Sequence, residues 1–129
     1  MAITGIDHIA IRVKDLDAGI ESYKNLGFEL TNTAETPGIG RQAFFRLGND
    51  TFVELVAPTS PDSAVGKAIE SRGEGIHTVA FAVDDVKETV NGLTENGARV
   101  IPSDNLDKVA FVHPKSTHGV LLQLVKKES

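Results

Sequence analysis

Apolar and polar residues alternate from Ile3 to Val13. Ile9, Ile11 and Val13 share one face, while His8, Ala10 and Arg12 share the other. A period of two with β-branched residues predicts a strand with one apolar face. The period then changes: Leu16, Ile20, Tyr23 and Lys24 recur at helical spacing behind Asp15, and Gly27 closes the run. This predicts a capped helix ending near Leu26. Phe28 to Thr33 reads as a short strand. Ala34 to Gly40, with Pro37, Gly38 and Gly40, reads as a loop. Gln42 to Leu47 and Thr51 to Val56 read as two strands joined by a tight turn at Gly48-Asn49-Asp50.

Pro58, Ser60 and Pro61 interrupt this pattern. Asp62 or Ser63 then caps a linker helix with Val65, Ala68 and Ile69 inward. From Gly75 the first pattern returns. A strand over Gly75–Val83 leads into a helix from Asp85 to Asn96, with Gly97 as its stop. Strands follow at Ala98–Pro102, Lys108–His113 and Val120–Val125, with a turn over Pro114–Gly119. Shifting the chain by seventy positions lays Ala10 on Ala80, Val13 on Val83 and Asp15 on Asp85. A shift one shorter lays Phe52-Val53-Glu54-Leu55-Val56 on Leu121-Leu122-Gln123-Leu124-Val125. The expected fold is α+β, one domain over residues 1–129 built from two tandem β-α-β-β-β modules. Module one covers about 1–57, the linker helix about 58–73 and module two about 74–129. The two small sheets are expected to form a curved, partly open, barrel-like sheet with a central cleft. Strand parity turns His8, Ala10, Arg12, Gln42, Phe44, Glu54, Thr78, Ala80, Phe111, Gln123 and Val125 inward.

Composition narrows the partners. A chain of 129 residues with 40% hydrophobic and 24% charged residues is ordinary for one soluble domain. A net charge of −5 argues against a nucleic-acid surface. The absence of cysteine rules out disulfides, thiolate ligands and a cysteine nucleophile. No signal-like start and no apolar run of membrane-spanning length is present, so a cytoplasmic protein without a membrane partner is expected. A strand face carrying His, Arg, Gln and Glu needs partners, water or a ligand. From these residues two readings stay open: a ligand or metal site, and a water-filled polar groove without chemistry. Arg12 either pairs with Glu54 or binds an anionic ligand.

Several phrases carry a family resemblance: Asp7-His8-Ile9-Ala10-Ile11, Leu47-Gly48-Asn49, Glu54-Leu55-Val56-Ala57-Pro58, Arg72-Gly73-Glu74-Gly75-Ile76-His77, Ala110-Phe111-Val112-His113-Pro114-Lys115-Ser116 and Gly119-Val120-Leu121-Leu122. Over nearly its whole length the chain resembles the vicinal oxygen chelate superfamily, and within it the methylmalonyl-CoA epimerases. The resemblance implies a divalent metal (Co, Zn, Ni or Mn) held by one residue from each of four strands. Such a metal stabilises the enolate formed when a proton is removed beside a thioester, with a base in reach of that proton.

Position by position, the resemblance makes His8 the first metal ligand and Glu54 the second. The third ligand position, the second His of an Ile-His-His phrase in the family, is Thr78. The fourth, usually Glu, is Gln123. His77 stands one residue early, on the opposite strand face, and would reach the metal only through a bulge. In some bacterial epimerases a Glu base stands on the strand that carries Gln42 here, so Glu54 and Gln42 are the expected catalytic residues. Arg12, Thr78, Lys115, Phe44 and Phe111 are the expected substrate contacts, with Lys115 at the rim for a CoA phosphate or a carboxylate. His113 belongs to the Pro-Lys turn, and His118 is expected to be exposed. Ser103–Asp107 replaces a longer Gly-rich loop that borders the substrate in relatives. A Thr hydroxyl is a weak donor for these metals, so a metal-free state is an alternative. The expected function is a metal-assisted isomerase of the epimerase type acting on an acyl-CoA or another small 2-oxo or thioester acid. The alternatives are a glyoxalase I-like lyase and a metal-free small-molecule-binding module. A homodimer is expected from the family and from the open sheet edges.

Overall fold

A computed structural model describes residues 3–127. The elements are β1 (Ile3–Arg12), α1 (Leu16–Asn25), β2 (Asn32–Thr36), β3 (Gly40–Arg46), β4 (Phe52–Ala57), α2 (Ala64–Arg72), β5 (Gly75–Val83), α3 (Val86–Glu95), β6 (Val100–Pro102), β7 (Val109–Val112) and β8 (Leu122–Lys126). A 3-10 turn covers Pro114–Ser116. The fold is mixed α+β with one open eight-stranded sheet in the order β2-β3-β4-β1-β5-β8-β7-β6. Among the described residues no helix is long and apolar enough to cross a membrane.

The repeat in the sequence is a repeat of local devices. The side chain of Asp15 accepts a hydrogen bond from the Ala18 amide, and that of Asp85 accepts one from the Glu88 amide, so each helix starts on the same cap. Each helix also ends the same way. Gly27 and Gly97 take left-handed φ angles of 101° and 89°. The amides of Gly27 and Phe28 donate to the carbonyls of Lys24 and Tyr23, and those of Gly97 and Ala98 to Thr94 and Leu93. This paired closure satisfies the last helical carbonyls and favours glycine at its turning point.

That closure also moves the next strand. The sequence predicts a strand from Phe28 to Thr33 and a loop from Ala34, but β2 begins at Asn32. Phe28 is drawn back onto the helix end, its ring 5.3 Å from that of Tyr23 and 6.2 Å from that of Phe45. β2 then runs through most of the expected loop because Pro37-Gly38-Ile39 forms a tight reversal into β3, with Thr36 opposite Gly40. In the second repeat Ala98 closes α3 in the same way, and β6 starts late at Val100. The expected hairpin turn lies between β3 and β4, with Asn49 and Asp50 at φ angles of 62° and 58°, the paired left-handed geometry of a type I′ turn.

The chain forms two compact units. One spans Ile9–His77; the other joins the start of β1, through His8, to the chain from Thr78 onward. The sequence modules follow chain order, whereas the units divide inside β1 and β5. In the first unit, Ala43, Phe45, Val53, Leu55 and Ala57 turn one face of β3 and β4 toward Leu16 and Val13, with Ile20, Tyr23 and Phe28 packed against them. In the other, Val83, Ala110, Val112 and Leu124 pack with Val86, and Phe81, Val90 and Leu93 close the cluster. The opposite faces of these strands are left for other side chains.

Candidate functional site

In the unit spanning Ile9–His77, the non-helical face of β3 and β4 carries the polar residues. The antiparallel register sets Phe44 opposite Glu54, Gln42 opposite Val56 and Arg46 opposite Phe52. Gln42 is only 7% exposed, so both ends of its amide need partners. The Thr36 hydroxyl donates to its Oε1 at 2.5 Å, and its Nε2 donates to Glu54 Oε2 at 3.0 Å. This relay fixes the amide orientation and holds a half-buried carboxylate in one position. The rings of Phe44 and Phe52 meet edge to face at 5.8 Å beside it. A fixed carboxylate flanked by aromatic rings can accept a proton from a bound carbon acid.

Arg12 does something neither sequence expectation included. It is 6% exposed, and its Nε and Nη1 donate to the carbonyls of Gly73 and Ile76 at 2.7 and 2.6 Å. The Lys14 amide donates to Glu74 Oε2 at 2.8 Å along the same connection. Arg12 thus ties β1 to the link between α2 and β5 through backbone carbonyls. Burial first, and the Arg72 charge second, draw its pKa down.

His77 lies beside this clamp. On β5 it alternates with the buried residues Thr78, Ala80 and Ala82. The regular β5–β8 ladder begins two residues later, at Val79. Its Nδ1 is buried with no hydrogen-bond partner among the described residues. Burial, then the charges of Arg12 and Arg72, lower its pKa. The positive charges of Arg12 and Arg72 also disfavour a divalent cation beside His77.

The other unit holds the remaining candidates. His8 is 8% exposed and its Nδ1 lies 2.8 Å from Asp7 Oδ2. Lys127 Nζ donates to the other Asp7 oxygen at 3.2 Å. Asp7 therefore sets the ring orientation of His8. Gln123 lies between Ala80 of β5 and Phe111 of β7 in one row of the sheet. Thr78, 5% exposed, precedes Ala80 by two residues on the same face. Lys115 is exposed. His113 accepts the Lys115 amide on Nδ1 at 3.0 Å and caps the 3-10 turn. Its pKa is lowered by desolvation first, then by Arg99 and Lys115. His118 is exposed, with a φ of 58° in the turn before β8. Sequence reasoning missed Asp7, Lys127 and Thr36. Adjacency to His8 was the only signal for Asp7; the other two contacts depend on tertiary placement.

The metal implied by the resemblance can be tested against these side chains. Its four positions carry one imidazole, one carboxylate, one hydroxyl and one amide. His8 and Glu54 are the strong donors, and Glu54 already accepts from Gln42. Among the described residues no group of three His, Cys, Asp or Glu side chains could hold a metal ion. The donor set does not fit a tightly held divalent cation.

Comparison with known proteins places the chain. Residues 7–111 match the sequence model of the Glyoxalase/Bleomycin resistance protein/Dioxygenase superfamily. An ethylmalonyl-CoA/methylmalonyl-CoA epimerase of Cereibacter sphaeroides is 32% identical over 127 residues, covering 92% of this chain and 95% of the relative. The crystal structure of a Mycobacterium tuberculosis methylmalonyl-CoA epimerase superposes with a TM-score of 0.85 at 32% identity, covering 98% of this chain and 90% of that one. A Streptomyces coelicolor methylmalonyl-CoA epimerase in complex with 2-nitronate-propionyl-CoA gives a TM-score of 0.85 at 35% identity, over 99% of this chain and 100% of that one. The chain belongs to the glyoxalase/bleomycin resistance protein/dioxygenase superfamily, also called vicinal oxygen chelate.

Proposed function

We propose that this superfamily member is an isomerase of the methylmalonyl-CoA epimerase type, acting on the carbon between the thioester and the free carboxylate of an acyl-CoA. The observation that carries the reading is the Glu54 carboxylate, held by Gln42 in a relay that begins at Thr36. Glu54 takes the α-proton. The C–H bond breaks, its electron pair enters the enolate, and Glu54 becomes the neutral acid; a proton delivered to the opposite face of the enolate inverts the centre. Gln42 keeps the carboxylate aimed before the transfer. Similarity to epimerases over almost the full chain supports the substrate class. A homodimer is part of the same proposal.

The test is proton exchange. Methylmalonyl-CoA incubated with the protein in D2O should lose its α-proton signal by NMR. Glu54→Gln should slow that loss by about 100-fold or more. No exchange with methylmalonyl-CoA, ethylmalonyl-CoA or related acyl-CoAs would remove the isomerase reading. A second reading, a metal-free binding module, is favoured by the hydroxyl of Thr78 and the amide of Gln123. Its signature is acyl-CoA binding without exchange.

A further inference from the structure

One row along the sheet from Glu54 lies a feature that the proton-transfer chemistry does not use. Thr31, Asn32, Phe44, Arg46 and Phe52 line a cavity of about 180 Å³. Arg46 faces Phe52 across the β3–β4 ladder, as Phe44 faces Glu54. The Arg46 amide bonds Thr31 Oγ1 at 2.9 Å, and the Thr31 amide bonds the Phe44 carbonyl at 2.7 Å. The backbone around the cavity is therefore fixed. The Arg46 side chain is exposed and makes no ion pair among the described residues.

We propose that Arg46 anchors the free carboxylate of the acyl substrate in this cavity, with Phe44 and Phe52 covering the adjoining aliphatic carbons. The inference rests on the acyl-CoA reading and names the group that selects the acyl chain. Three arguments carry it. A guanidinium fork matches a carboxylate through two parallel hydrogen bonds. The spacing fits: residues two apart on a strand are separated by roughly 7 Å, within the span of an arginine side chain reaching back toward the Glu54 row. In a malonyl-type acyl group the carboxylate is bonded directly to the reacting carbon. The phosphates of CoA lie beyond the whole pantetheine arm, so the short span selects the carboxylate. Finally, a chain of net charge −5 that presents a carboxylate base needs local positive charge to seat an anionic substrate, and Arg46 supplies it one row away.

The experiment measures binding and exchange for wild type, Arg46→Met and Arg46→Lys with three ligands: methylmalonyl-CoA, methylmalonyl-pantetheine and propionyl-CoA. The second lacks the nucleotide phosphates and the third lacks the free carboxylate. Arg46→Met should weaken both methylmalonyl esters by about 10- to 100-fold and leave propionyl-CoA within about twofold. Arg46→Lys should recover part of the loss. Because Arg46 is exposed, circular dichroism of the variants should match wild type. Equal weakening of both CoA esters with methylmalonyl-pantetheine unchanged would assign Arg46 to phosphates and overturn the proposal. Unchanged binding of all three ligands by Arg46→Met would also overturn it while leaving the isomerase reading intact. Wild type that binds none of the three removes the acyl-CoA reading, and this inference with it.

Discussion

Leu55 and Leu124 occupy the same place in the two repeats, each buried opposite an alanine, Ala43 and Ala110. Asp15 and Asp85 cap the two helices alike, and Gly27 and Gly97 close them alike. The side chains on the other face do not agree. Glu54 aligns with Gln123, a carboxylate against its amide. His8 aligns with Thr78, an imidazole against a hydroxyl. Packing and backbone hydrogen bonding must be satisfied in each copy if each helix is to hold its strands. A proton carrier need be present only once. At these positions the first repeat carries an imidazole and a carboxylate, and the second a hydroxyl and an amide.

The cores differ at several equivalent positions, and the largest stability effect should appear at the one shared by β3 and β7. Phe45, fully buried, packs with Tyr23 and Phe28 at ring separations of 6.0 and 6.2 Å. Its counterpart two residues beyond the shared alanine is Val112. Phe45→Ala should cost about 3–5 kcal/mol and Val112→Ala about 1–3 kcal/mol, read from chemical denaturation. Equal losses would mean that the aromatic cluster adds nothing to the first repeat.

Next in size is the chemical asymmetry. Glu54→Gln makes the first repeat match the second, and exchange should fall by about 100-fold, equivalent to about 2.7 kcal/mol in barrier. Adding Gln123→Glu to that variant should not restore the rate, because the amide donor and hydroxyl that hold Glu54 belong to the first repeat. Recovery by the double variant would show that a carboxylate in either copy suffices.

The caps should behave as twins. Asp15→Ala and Asp85→Ala each remove one side-chain acceptor from a helix N-terminus, and each should cost about 1 kcal/mol. Melting curves that differ widely between the two would break the equivalence.

Where the sequence was legible, the information was local. The bounds of β5, both aspartate caps and both glycine stops could be read from residue types and spacing. The start of β2 could not, because Phe28 obeys the core of its repeat rather than its strand propensity. The backbone partners of Arg12 were not legible for another reason. They are the carbonyls of Gly73 and Ile76, and residue identity carries no information about where a carbonyl points. The Asp7–Lys127 contact spans almost the full chain and leaves no pattern. The facing of His77 was legible from strand parity alone, but its surroundings were not.

Those surroundings give the smallest expected effect and the most specific one. The burial of His77 and the charges of Arg12 and Arg72 lower its pKa in the fold. The unfolded chain therefore takes up a proton at this side chain before the folded chain does. Stability from this source is present above the unfolded value of about 6.5 and is lost as pH falls below it toward the lower folded value. His77→Gln keeps a polar side chain of similar reach and cannot titrate. Melting temperatures at pH 7.5 and 5.5 should therefore differ less for His77→Gln than for wild type. His113, also lowered, remains in both proteins and cancels in the comparison. An unchanged pH dependence in the variant would mean that protonated His77 is accommodated beside the two arginines, and the argument against a cation at that position would lose its footing.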